Sequence, residues 1–197
     1  MANPIPLQHG QYYHIHNRGN NRERVFIEER NYRYFLELYA KHIEPIADTF
    51  AYCLLPNHFH FLVYIKDLTG LPDLSGLKKP SQHFSNLFNA YTKALNKAYD
   101  RTGALFQRPF GRIPVTSDAY FIHLVTYIHQ NPQKHGLVAD FRTWPYSSYH
   151  AHLSDQPTRL QRDDVLAWFD GSEGFKMAHC HQADMHLLAP LVAEDFD

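Results

Sequence analysis

His58 and His60 stand one residue apart in "LLPNHFHFLVYI", a stretch otherwise rich in apolar residues from Leu54 to Ile65. Residues i and i+2 of an extended strand project to the same side. The two imidazoles therefore share one face, and Phe59 and Phe61 take the other. Held roughly 6–7 Å apart at Cα, two neutral imidazoles can chelate one divalent cation. The pattern is loose by itself, because His14-Ile15-His16 and His179-Cys180-His181 repeat it in a chain of 15 histidines. A cation also needs more than two ligand atoms, so further donors must come from elsewhere.

"AYFIHLVTYIHQNP" can supply them. On a helix its apolar face is Phe121, Leu124, Val125 and Ile128, and a polar stripe runs through His123, Tyr127 and Asn131. Positions four apart are neighbours on a helix, so the Tyr127 phenol and the Asn131 carboxamide can face one point. His129 lies well around the helix from them. A phenol is a modest nucleophile, mostly neutral at pH 7. A tyrosine in such a place usually caps a core with its hydroxyl in water, and the functional reading gains weight only in combination with the histidine pair.

The elements that must position these groups follow from hydrophobic period. Tyr12 to His16 reads as a strand, followed by the polar loop "NRGNNRER". From Tyr32, the positions Phe35, Leu36, Tyr39 and Ile43 give a helix that Pro45 limits. "FAYCLLP" and His58 to Lys66 are strands joined by a tight turn at Pro56-Asn57. "DLTGLPDLSGLKKP" is irregular, and a long helix then carries Phe84, Leu87, Phe88, Tyr91 and Leu95 on one face and Lys93, Lys97 and Arg101 on the other. "ALFQRPFGRIPV" reads as a fourth strand that Pro109 confines to an edge or bulge. Ser117-Asp118 caps the tyrosine helix, which Pro132 ends or kinks. A short helix is expected near Val165 to Phe169. This order is the split βαβ, or ferredoxin-like, α+β unit: four antiparallel strands, two helices on one face, and the other face left for a ligand or a further helix.

Composition narrows the partner. With 44% hydrophobic and 20% charged residues, the 197-residue chain is globular, with length for one domain and a small appendage. It carries no long apolar run and only two cysteines, which fits a cytoplasmic setting and no membrane partner. Charge is unevenly spread. Residues 1–135 hold 15 Lys/Arg against 10 Asp/Glu, whereas 136–197 hold 4 against 10, together the net −1. A basic body with an acidic tail suggests a polyanionic partner, and Asp163, Asp164, Asp170 and Glu173 are expected to lie across the basic surface. Residues 1–150 are taken as the functional domain and 151–197 as an acidic extension of it.

In combination, "LLPNHFHFLV", "GALFQRPFGRIPV" and "YIHQNPQKHGLV" resemble the single-tyrosine HUH transposases, and especially the REP-associated tyrosine transposases. The resemblance spans about Tyr12 to Tyr149. It implies a DNA endonuclease and strand transferase acting on single-stranded or hairpin DNA near repeats. Tyr127 would be the nucleophile, forming a 5′-phosphotyrosine link, and His58, His60 and Asn131 would hold Mg²⁺ or Mn²⁺. Arg18, Arg22, Arg24, Lys93, Lys97, Arg108 and Arg112 are the candidate DNA contacts. The chain's length favours a monomer over a homodimer. A non-catalytic nucleic-acid binder, or a relaxase or replication initiator of the same chemistry, are the other readings.

Overall fold

Alternation along two central strands divides the molecule into two cores. The computed structural model describes residues 4–67 and 79–181. In order these form β1 (Gln11–Arg18), α1 (Glu29–His42), β2 (Ala47–Leu55), β3 (His58–Ile65), α2 (Pro80–Ala98), β4 (Gly111–Val115), α3 (Asp118–Lys134), α4 (Tyr149–Leu153), α5 (Arg162–Trp168) and α6 (Ser172–His179). The sheet order is β2-β3-β1-β4, with every pairing antiparallel, so the ferredoxin-like expectation is borne out. Tyr13, Ile15, Phe59, Phe61 and Val63 point to the face covered by α1 and α2, where they meet Phe35, Tyr39, Phe84 and Tyr91. Burying each Phe there contributes roughly 1.5–3 kcal/mol. Ala51, Cys53, Leu55 and Leu62 point the other way, into a second core with α3 and the helices after it.

Several boundaries differ from the periodic reading, each for a local reason. α1 starts at Glu29, before the first apolar position, because Glu28 and Asn31 form a reciprocal cap. The fourth strand is only Gly111–Val115. Upstream of it, Leu105, Phe106 and Phe110 turn into the α2 core, and Gly19↔Phe106 is an isolated bridge. β4 is an edge strand, which tolerates Pro114 inside it. α3 runs through Pro132 to Lys134. Arg101 lies beyond the end of α2 and pairs with Glu23 at 2.7 Å, so it does not extend the Lys93/Lys97 stripe. The irregular 67–80 segment and the last part of the acidic extension fall largely outside the described residues.

The residues after α3 complete the second core. Ser148 N donates to Tyr52 O at 2.9 Å, and Gln161 N donates to Thr49 O at 2.9 Å. Trp168 stacks on Phe121 at 4.1 Å. α5 packs on β2 beside Tyr12, where burial and then the Asp164 charge raise the phenol's pKa. Tyr12 and Arg18 are six residues apart on β1, roughly 20 Å. Asp163 and Asp164 therefore sit toward the opposite end of the sheet from the arginines.

Candidate active site

The site grows from the register of β1 on β3. His16 is paired with His60 and Arg18 with His58, while His14 is opposite Leu62. All these side chains leave the sheet on the face away from α1. His14 and His60 stack with ring centroids 5.1 Å apart, and His14 Nε2 lies 3.0 Å from His60 Nδ1. His16 stacks on His14 at 4.8 Å. Across the edge, Gly111 pairs with His16, and a Cβ at 111 would stand 2.0 Å from the imidazole. Glycine is what lets that ring lie against β4.

α3 brings the phenol to this layer. Its N-cap, Ser117, accepts a hydrogen bond from Tyr120 N at 3.3 Å. Tyr127, 2% exposed, meets His60 edge to face at 5.7 Å. Its hydroxyl is buried with no hydrogen-bond partner among the described residues. One turn on, Asn131 Nδ2 donates to Tyr127 O at 2.9 Å, and its buried Oδ1 has no partner. At the end of the helix, Lys134 Nζ stands 4.6 Å from the Tyr127 ring centroid. His135 packs edge to face on His58 at 4.8 Å. His129 instead turns away, to His179 at 2.8 Å and Ser148 Oγ at 2.7 Å.

The donor set fits a divalent cation. His58 Nδ1 lies 2.7 Å from Asn57 Oδ1, an acceptor, so Nδ1 carries the proton and the buried, unpartnered Nε2 keeps its lone pair. His60 has the same option when its Nδ1–H donates to His14 Nε2. Burial is the main cause that holds the pKa of His14, His58 and His60 well below the usual histidine value. They are thus neutral, the form that binds metal, at pH 7. Asn131 Oδ1 adds an unpartnered hard oxygen. Among the described residues, no group of three or more His, Cys, Asp or Glu forms a ready metal cage. The candidate donors are the two imidazoles on β3 and the Asn131 amide oxygen on α3.

Arginines frame the approach. One cleft of about 560 Å³ is lined by His16, Arg18, Arg22, His58, His60 and Arg112, among others. A second adjoins it at His58, with Arg24, Asn57 and His135 in its wall. Among the described residues, no acid lines either one. The expectation that Asp163, Asp164, Asp170 and Glu173 lie across this surface is not met, and Glu173 pairs with Lys176 at 2.7 Å. Arg108 donates to Asn89 Oδ1 at 3.0 Å, at the mouth of a neighbouring chamber. Lys93 and Lys97 are exposed on α2, the helix packed on the opposite sheet face, and neither lines the clefts at His58. Sequence reasoning missed His14, His16, Lys134 and His135. The first two were visible as another H-x-H but needed the strand register, and the last two follow a proline expected to interrupt the helix.

No family model matches the chain. A Haemophilus influenzae protein assigned by name to the REP-associated tyrosine transposases is 31% identical over 107 residues. The match covers 52% of this chain and 59% of that relative's length. A solved REP-associated tyrosine transposase bound to a REP hairpin matches with a TM-score of 0.61 and 21% identity. It spans 80% of this chain and 88% of that one, a likeness of fold. The likeness is to REP-associated tyrosine transposases. The resemblance carried by the sequence motifs is thus borne out by the curated relative, and the fold by the solved structure. Among the described residues, no helix is long and apolar enough to cross a membrane.

Proposed function

We propose that the chain is a divalent-metal-dependent DNA endonuclease and strand transferase, a transposase acting through Tyr127. Its substrate would be single-stranded or hairpin DNA associated with repeats, cut in the cytoplasm. The observation that carries this reading is the Tyr127 ring lying 5.7 Å from His60 of the same chain, a histidine that itself lines the cleft with Arg18, Arg22 and Arg112. That contact favours a site complete within one monomer. His58, His60 and Asn131 would hold Mg²⁺ or Mn²⁺, which when bound polarises a phosphate and offsets charge developing on it.

The protein's own groups divide the remaining work. Arg18, Arg22 and Arg24 hold phosphates along one wall. Tyr127 Oη bonds to phosphorus as it loses its proton, and the bond to the 3′-oxygen breaks. The products are a 5′-phosphotyrosine and a 3′-hydroxyl that has gained a proton. An aryl oxide is a good leaving group, so an incoming 3′-hydroxyl can reverse the step, which suits strand transfer better than hydrolysis. The Lys134 ammonium over the ring favours the phenolate that departs.

The test is incubation with hairpin oligonucleotides carrying single-stranded flanks and Mn²⁺, followed by mass spectrometry of the peptide containing Tyr127. A DNA adduct on Tyr127 is expected, and Tyr127→Phe should abolish it while DNA affinity persists. Binding with no adduct under any divalent ion would leave the non-catalytic binder standing instead.

A further inference from the structure

A second chamber, about 250 Å³, opens off the histidine cleft and shares Asn17, Gln107, Phe110 and Arg112 with it. At about 30 Å³ per water it has the volume of roughly eight waters, suited to one planar heterocycle rather than to a duplex. Phe88, Phe106 and Phe110 give it an aromatic wall. Two of its polar side chains, Asn17 and Arg112, present donors. Asn17 is 5% exposed, and its Oδ1 accepts from Arg18 N at 2.8 Å, which leaves Nδ2 as the amide's open end. Asn89 Oδ1 is likewise taken, by Arg108. The Arg112 guanidinium lies 3.8 Å from the Phe110 ring centroid, and its buried Nε has no partner among the described residues. Among the described residues, no acid lines the chamber to satisfy it.

Buried donors without acceptors call for a ligand that presents acceptors. We propose that this chamber takes one unpaired nucleobase of the strand lying in the cleft, read by Arg112 and Asn17. Guanine fits best, since its O6 and N7 are two adjacent acceptors. Adenine and cytosine would set an exocyclic amine against the same donors and be disfavoured. Phe88, Phe106 and Phe110 offer the aromatic surface for the base to stack on. Arg112 then reads sequence instead of holding phosphate. This inference rests on the DNA-cleaving reading of the Tyr127 site.

The experiment uses hairpin oligonucleotides with randomised single-stranded flanks. The bound fraction is sequenced for the wild type, Arg112→Gln and Asn17→Ala, and Tyr127 adducts with Mn²⁺ are measured on the same pool. The wild type should enrich guanine at one flank position by about tenfold, within the range of a good bidentate base contact, and an abasic site there should weaken binding by a similar factor. Each variant should flatten that position and leave the rest of the profile intact. An unchanged profile in both variants, or a loss uniform over all sequences, overturns the chamber's role. If the wild type forms no Tyr127 adduct, the parent reading falls with it, whereas adducts with unaltered variant profiles overturn the base pocket alone.

Discussion

An imidazole that binds a cation through one nitrogen must be aimed by the other. Asn57 does this for His58, and the hydrogen bond between His60 and His14 can do it for His60. Neither partner was a candidate by residue type, since an asparagine in a turn and a histidine in a strand have many other uses. Lys134 is a comparable case on the side of the proposed nucleophile. It is half-buried over Tyr127, and burial pulls its pKa below the ordinary lysine value. A cation so placed lowers the energy of the phenolate that forms and leaves. Lys134→Met should slow adduct formation by about tenfold, the scale of one charge acting across a few ångströms of partly solvated protein. Single-turnover rates on a pre-bound hairpin would show it. DNA affinity should fall much less than the rate, and equal losses in both would make Lys134 a phosphate contact.

Those side chains are delivered by the way α3 ends. Pro132 has no N–H to donate, so the Ile128 carbonyl forgoes its usual bond, yet the helix continues to Lys134. Gly136, at φ +67°, then closes it: Gly136 N donates to Gln133 O at 3.0 Å and Leu137 N to Pro132 O at 2.9 Å. This is the paired C-terminal motif that favours glycine, and it sets His135 against His58. Gly136→Ala should destabilise the fold by about 1 kcal/mol and weaken Mn²⁺ binding more than that loss explains. Denaturant midpoints and Mn²⁺ titration by calorimetry check the two parts separately. A proline rule applied to sequence alone stops the helix at Asn131 and so hides Lys134 and His135. By contrast, β1 to β3, the helices α1 and α2 and the Tyr127 to Asn131 spacing were legible. Each helix buries one face and its period shows, and the strands are short apolar runs bounded by turn residues. α4 and α6 were not legible. They are short, and Tyr149 and Phe175 are held by packing against α3 rather than by their own pattern.

At the scale of the molecule, histidine burial is the unusual feature and makes the fold acid-sensitive. His14, His58, His60, His129, His152 and His179 are all buried. Burial, foremost, pulls His152 and His179 down to about 4, with the His179 charge adding to the effect at His152 and a bond to the Phe175 carbonyl opposing it at His179. In the unfolded chain both titrate near 6.5. Between those values the unfolded state binds more protons than the folded one, so stability is fully present above about pH 6.5 and is lost as pH falls toward 4. By pH 5 the loss is on the order of 2 kcal/mol for each of the two groups, a large share of a typical domain's stability. Urea unfolding at pH 7.5 and pH 5.0, with metal chelated, should show the midpoint falling steeply. His152→Leu removes one titrating group and fills its apolar surroundings, so its stability should change less between the two pH values than the wild type's. A wild-type midpoint that stays level from pH 7.5 to 5.0 would mean that these imidazoles are already charged, or reach water, in the folded protein, and the same would then hold against neutral ligands at His58 and His60.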